Sequence, residues 1–228
     1  MSITVRYEDN HIIAALKPAG VLAQADLPAG RQVKQGSTDM LTQVKKYLKK
    51  KYKKPGNVFV GLLHRLDRPV SGVMIFAKTS KGAARLSEQF RNRQVQKTYQ
   101  ALVTGKPAMS KGVLTNKLGK DEKLKKAKEY ADGQETFLQY EVIASSETYS
   151  LLKIHIDGGK FHQIRAQLSL AGMPIVGDVK YGGEKWPDEK AIALCATELI
   201  FRAATTDEVI TVSTPIPETW KTYSQLGY

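Results

Sequence analysis

The sequence predicts an α+β fold, a mixed and mainly antiparallel sheet with flanking helices. Three observations predict it. Short runs rich in β-branched and aromatic residues recur along the 228 residues. Few stretches carry the apolar spacing of an amphipathic helix. The two kinds of segment do not alternate regularly, as the βαβ units of a doubly wound parallel sheet would.

In chain order, Ile3–Tyr7 and His11–Leu16 read as strands, with Glu8-Asp9-Asn10 as the turn between them. Lys17-Pro18-Ala19-Gly20 breaks regular structure. A helix is predicted from Ser37 or Thr38, with Leu41, Val44 and Leu48 on one face and lysines on the other, ending before Pro55. Val73–Ala77, after Gly72, reads as a buried strand. Ser80 can cap a helix in which Ala83, Leu86 and Phe90 share a face. Thr98–Thr104 is a further strand, and the lysine-rich stretch Asn116–Lys128 reads as an exposed loop or loose hairpin. Leu151–Ile156 is a strand and Gly158-Gly159 a turn. A short helix from about His162 turns Ile164, Leu168 and Ala171 inward and stops at Gly172. Val209–Thr214 is a late strand. No repeat or Pro/Gly/Ser-rich linker divides the chain, so residues 1–228 are expected to form one domain.

With 42% hydrophobic and 25% charged residues the chain is in the globular range, and it is long enough to bury a core without staples. The one cysteine, Cys195, excludes a disulfide framework or a cysteine-rich metal site within one chain. The start, MSITVRYEDN, lacks a signal-peptide pattern, and no apolar stretch approaches a membrane span. A soluble cytoplasmic protein with no membrane partner is expected. The net charge of +13 points to a polyanion. The excess is clustered at Lys45–Lys54, including Lys49, Lys50 and Lys51, and again at Lys111–Lys128, including Lys125 and Lys126. Neither cluster has the apolar face of a membrane-surface helix, which favours nucleic acid.

Several chemistries lack their motifs. There is no G-x-G-x-x-G, no G-K-[ST] phosphate loop, no H-E-x-x-H and no G-x-S-x-G. The four histidines show no metal-site pairing, so neither a metal nor a nucleotide cofactor is expected. What stands out is His64-Arg65-Leu66-Asp67-Arg68-Pro69-Val70-Ser71-Gly72, a carboxylate between two guanidinium groups just before an apolar strand. Such an Asp can be a structural loop residue, or it can be a carboxylate kept ionised for nucleophilic work. A second group is Gly158–Arg165 with Gly172–Asp178 and Tyr181-Gly182. Arg165 beside Ile164 could face a half-buried site, where it would need an anion; Asp67 is a candidate. Asp178 reads as a structural hydrogen-bond acceptor. The third group is Lys97-Thr98-Tyr99, in which Tyr99 is either a core residue or a contact to substrate.

These pieces occur in the order and rough spacing of the RluA-type pseudouridine synthases, and the chain resembles that family. HRLDRPVSGVMIFAK is similar to the segment around the family's catalytic aspartate, KTYQALVTG to its second motif and HQIRAQLSLAGMPIVGDVKYGG to its third. YEDNHIIAALKPAGVL and LCATELIF…STPIPETW resemble its first and last segments, so the likeness spans nearly the whole chain.

The resemblance implies the pseudouridine synthase catalytic fold, with residues 1–228 as its single catalytic domain and no small N-terminal S4 RNA-binding domain. Asp67 would be the nucleophile, Tyr99 would stack against the target base, and Arg165 would pair with Asp67 and orient it. Arg65 would fill the space left by the flipped uridine, with His64 supporting the loop and Arg68, His162 and Gln163 also at the RNA. The partner would be a stem-loop of ribosomal or transfer RNA, the cofactor none, and the protein a monomer. Three positions depart from the pattern: Lys160-Phe161 for a more usual Arg-Thr, Gln167 for His, and Cys195 after Leu194 where His is frequent. Asp67 could attack C1′, add to the uracil ring or abstract the 2′ proton. Two other readings compete: an RNA-binding protein without catalysis, and a nucleoside or glycoside hydrolase pairing Asp67 with Asp178.

Overall fold

In the computed structural model, which describes residues 3–25, 39–206 and 208–226, the predicted first two strands form an antiparallel hairpin. They are β1 (Thr4–Glu8) and β2 (Ile12–Lys17). The turn between them is fixed by Asp9, whose Oδ1 accepts the backbone N–H groups of His11 and Ile12, each at 2.7 Å. Helix α1 (Met40–Lys51) starts at Asp39, whose side chain accepts the N–H of Thr42 at 3.0 Å. The alternative starts at Ser37 and Thr38 lie outside the described residues. Leu41 of the predicted apolar face is only half-buried, and Met40 joins Val44 and Leu48 in the core instead. β3 (Gly61–Leu62) and β4 (Ser71–Ala77) follow, the latter covering the predicted buried run. α2 (Ser80–Arg91) is capped by Thr79 rather than Ser80. Thr79 has the extended backbone a cap requires, and its hydroxyl accepts the Gly82 N–H at 3.1 Å.

β5 (Gln96–Thr104) precedes a long hairpin of β6 (Lys111–Asp121) and β7 (Lys126–Glu129), then β8 (Gln134–Ser145) and β9 (Tyr149–His155). Of the two readings of the lysine-rich stretch, loop or hairpin, the structure has the hairpin, with regular pairing. Leu118 and Ala127 are buried in it, and the lysines alternate with them because side chains of a strand point to opposite faces. α3 (Gln163–Leu170) buries Ile164 and Leu168 as predicted, while Ala171 is its exposed C-cap. A single 3₁₀ turn spans Val179–Tyr181. β10 (Leu194–Arg202), β11 (Val209–Ser213) and α4 (Thr219–Ser224) complete the chain.

The chain divides into two compact units. One comprises the chain up to Val95 with Glu198–Thr214; the other comprises Gln96–Thr197 with the residues from Pro215. In the first unit β2 lies between β1 and β4, β3 pairs with the end of β4, and β11 pairs with β10. Alternate residues of these strands share one core: Ile12 and Ala14, Val73 and Ile75, Leu199 and Phe201, Ile210 and Val212, with Leu86 of α2. Ile13, Ala15, Met74 and Phe76 on the opposite face are buried too, which is why β2 and β4 read as unbroken apolar runs. In the second unit the strands lie in the order β5-β9-β8-β6-β7, every neighbouring pair antiparallel. A small core joins α3 to the hairpin through Ala166, Leu118, Ala127 and Tyr181.

Candidate active site

Asp67 sits on the turn between β3 and β4, in the first unit. Its backbone carbonyl accepts the N–H of Val70 at 3.1 Å, and Pro69 within the turn has no N–H to satisfy. Leu66 and Val70, on either side, are buried and anchor the turn, while Asp67 is half-buried and Arg65 and Arg68 are exposed. The chain then leaves through Gly72, whose φ of 131° suits glycine alone. His64 braces the turn from below: Nε2 accepts the Ile75 N–H at 2.9 Å, and the ring stacks on Phe90 at 4.9 Å.

The Asp67 turn is clasped by the segment after β2. Gly20 N–H donates to the Arg68 carbonyl at 2.8 Å, and Arg68 Nε donates to the Gly20 carbonyl at 3.0 Å. Beneath them lies Lys17, fully buried. Its Nζ donates to the carbonyl oxygens of Pro18 (3.1 Å), Val21 (2.7 Å) and Arg68 (3.1 Å). Burial brings Lys17 down to about 7; the nearby Asp67 charge works against that fall, and Arg68 adds to it. Nothing in the sequence reading singled out Lys17. Its available signal was a lysine ending an inward-facing apolar strand, just before Pro-Ala-Gly.

Tyr99 and Arg165 belong to the second unit. Tyr99 lies on β5 opposite Ile154 of β9, at the edge of burial with 9% exposure. Arg165, on α3, forms a fork with Asp178: Nε to Oδ2 at 2.7 Å and Nη2 to Oδ1 at 2.8 Å. Both are buried, and the guanidinium also lies over the Tyr181 ring at 5.0 Å. Asp178 is therefore the structural acceptor its sequence context suggested, and it is not available as the second acid of a hydrolase. Arg165 and Asp178 line a cleft of about 340 Å³ together with Lys180, Lys185 and Trp186. Lys180 is pushed down by burial and by the positive charges of Arg165 and Lys126.

The start of α3 is held by side chains. His162 is in the left-handed conformation, φ 51°, its ring stacked on Phe161 at 3.9 Å and Nδ1 2.9 Å from the Tyr181 hydroxyl. That hydroxyl also accepts the Ala127 N–H at 2.7 Å. Gln163, expected at the RNA, is 3% exposed; its amide donates to the Phe137 carbonyl and to Gln167, and its oxygen accepts the Lys160 N–H. It is an internal brace because α3 turns that face to β8. Gln167, the departure from the family pattern, is fully buried and donates to the Leu114 carbonyl and to Asn116.

The lysines divide by environment. Lys49 and Lys50 are exposed on α1, whereas Lys51 is paired with Glu8 at 2.7 Å. Burial pushes the Glu8 carboxyl up, but its bonds to Lys51, Lys78 and Tyr52 outweigh that and bring it down to about 2. Lys125 is exposed at the tip of the β6–β7 hairpin, and Lys126 lies over the Tyr181 ring at 5.6 Å. Among the described residues no group of His, Cys, Asp and Glu is placed to hold a metal ion, and no helix is long and apolar enough to cross a membrane.

Comparison with known proteins bears on the family and the fold. Residues 11–170 match the family described as RNA pseudouridylate synthase. The uncharacterized RNA pseudouridine synthase YhcT of Bacillus subtilis is 30% identical over 224 residues, covering 96% of this chain and 70% of that protein. The tRNA pseudouridine synthase C of Vibrio parahaemolyticus is 30% identical over 97% of this chain and 93% of its own length. Human RNA pseudouridylate synthase domain containing 4 shares the fold, with a TM-score of 0.79 and 22% identity over 99% of this chain and 94% of that one. With its motifs, its mainly antiparallel sheet and its sequence in agreement, the chain belongs to the RNA pseudouridylate synthase family.

Proposed function

We propose that this RNA pseudouridine synthase isomerises uridine within a stem-loop of ribosomal or transfer RNA, with Asp67 as the carboxylate that drives the rearrangement and Tyr99 and Arg165 completing the reacting set. It acts as a cytoplasmic monomer with no metal or organic cofactor. In the reaction the N1–C1′ bond breaks and a C5–C1′ bond forms on the same sugar. The C5 hydrogen leaves and N1 ends protonated, with no net change of oxidation state.

The observation that carries the reading is the turn itself. Asp67 is half-buried on a loop anchored by Leu66 and Val70, clasped through Arg68 and underlain by the buried Lys17 amine. A carboxylate fixed in a partly desolvated, positively charged setting suits covalent or proton-transfer work at a sugar. Arg65 and Arg68, exposed on either side of Asp67, suit phosphate contact and stacking in the vacancy of a flipped base.

The test is release of tritium from RNA labelled at uridine C5, with Asp67→Ala alongside. Wild-type release that Asp67→Ala abolishes is the expected result. No release from the wild type on ribosomal or transfer RNA pools would leave an RNA-binding protein, and release of free uracil would indicate a hydrolase.

A further inference from the structure

The end of α1, the segment just before β3 and the residues between β4 and α2 line a second cleft, apart from the Asp67 turn. It has a volume of about 180 Å³ and is lined by Leu48, Tyr52, Lys54, Val58, Phe59 and Thr79, among others. We propose that this cleft is an RNA subsite that receives one unpaired base. The base lies against the ring of Phe59, and the backbone phosphates beside it meet Lys54 and its neighbours on α1.

Four features support the assignment. Phe59 is 52% exposed and Tyr52 47%, an unusual amount of aromatic surface at the mouth of a cleft whose floor, Leu48, is 2% exposed. The Phe59 ring rests toward Gly61, where an added Cβ would come within 3.5 Å of it, so the platform is backed by the chain. The Tyr52 ring is oriented before any ligand arrives: its hydroxyl bonds Glu8 at 2.6 Å and Lys78 at 3.2 Å. Finally, the surroundings are positive. Lys49, Lys50, Lys53 and Lys54 are exposed on this stretch, and the Glu8 side chain, 8% exposed, is neutralised by Lys51 and Lys78 rather than facing a phosphate.

Aromatic surface set among lysines is the signature of single-strand recognition: the ring takes a base of any identity and the ammonium groups follow the backbone. A protein partner would not call for this excess of positive charge. The cleft adjoins Ala77, which pairs with Gly61, whereas the Asp67 turn precedes Ser71 at the opposite end of β4. Six residues of strand at roughly 3.3 Å each separate the two on the order of 20 Å, a span of several nucleotides. The subsite would therefore hold RNA flanking the target uridine.

The proposal rests on RNA being the substrate, and its test is read by binding alone. Affinities of the full chain for a short oligouridylate and for duplex RNA of equal length are compared in wild type, Phe59→Ala and Phe59→Trp. Phe59→Ala is expected to weaken oligouridylate binding about tenfold or more, the usual worth of one stacked base. It should leave duplex binding unchanged, since duplex bases are already stacked, and Phe59→Trp should restore the loss. Unchanged oligouridylate affinity in Phe59→Ala would overturn the subsite, as would an equal loss on both RNAs. Loss of binding to a protein partner with oligouridylate affinity intact would overturn it in favour of a protein dock. Tritium release by the wild type is scored separately. If release is absent while Phe59→Ala still weakens oligouridylate binding, the subsite stands and the synthase assignment fails; the reverse pattern separates the two in the other direction.

Discussion

Lys17 Nζ reaches the backbone carbonyl of Arg68 at 3.1 Å, joining the end of β2 to the turn that presents Asp67. Fifty-one positions separate the two residues, and the bond is made by a side chain with no exposed surface. The turn that presents Asp67 is thus held by its own backbone and by the buried Lys17 side chain. The side chain of Arg68 adds a third hold through its bond to the Gly20 carbonyl.

That buried amine predicts a pH dependence. Burial depresses the folded Lys17 to about 7 against an ordinary 10.5. Between those values the unfolded chain holds a proton that the folded chain has lost, so this group's contribution to stability rises with pH from about 7 to about 10. Urea unfolding of wild type and Lys17→Met should show a wild-type-minus-variant difference that grows over this range. A flat or falling difference would refute it.

Glu8 acts with the opposite sign, because its folded pKa of about 2 lies below the ordinary 4.5. Its contribution is present above about 4.5 and is lost as pH falls toward 2. Glu8→Gln should cost on the order of 1 kcal/mol at neutral pH, allowing for solvent screening, and the gap to wild type should close by about pH 2. Chemical denaturation across that range measures it.

The Arg165–Asp178 fork is a buried pair, so removing one partner strands the other. Asp178→Ala and Arg165→Ala are each expected to destabilise by about 3–5 kcal/mol. The double variant should cost clearly less than the sum, a coupling read from a double-mutant cycle. Additive losses would mean that the pair is not energetically linked.

Lys49 and Lys50 are exposed, but Lys51 is committed to Glu8. Neutralising Lys49 and Lys50 together should lower the salt dependence of RNA binding by roughly one to two in slope, log affinity against log salt. Lys51→Ala should act mainly on stability. An equal slope change from Lys51 alone would show that the Glu8 pair opens on RNA.

Much of this was legible in the sequence because local rules and tertiary packing agree. The run at 73–77 is apolar on both faces and is buried on both faces; the helix after Thr79 follows an apolar spacing that the core uses. The Asp67 turn was legible because Pro69 and Gly72 are needed for its backbone. What was missed depends on contacts between distant positions. β8 mixes polar and apolar residues in equal number with Phe137 and Ile143 exposed, so no clean alternation marks it, and pairing to β6 and β9 makes it a strand. Lys17 looks like any surface lysine until three carbonyls are found around it. Gln163 and Gln167 look like solvent-facing amides until α3 places them against β6 and β8.

The lysine face of α1 also has a bearing at the bench. Lys45, Lys46, Lys49 and Lys50 project into solvent while Met40, Val44 and Leu48 fill the inside of the same helix. A protein with this surface leaves a lysed cell already carrying polyanion, and its ultraviolet absorbance will be that of a mixture until high salt or nuclease strips it. Affinities taken before that step describe competition with whatever the cell supplied, not the vacant protein.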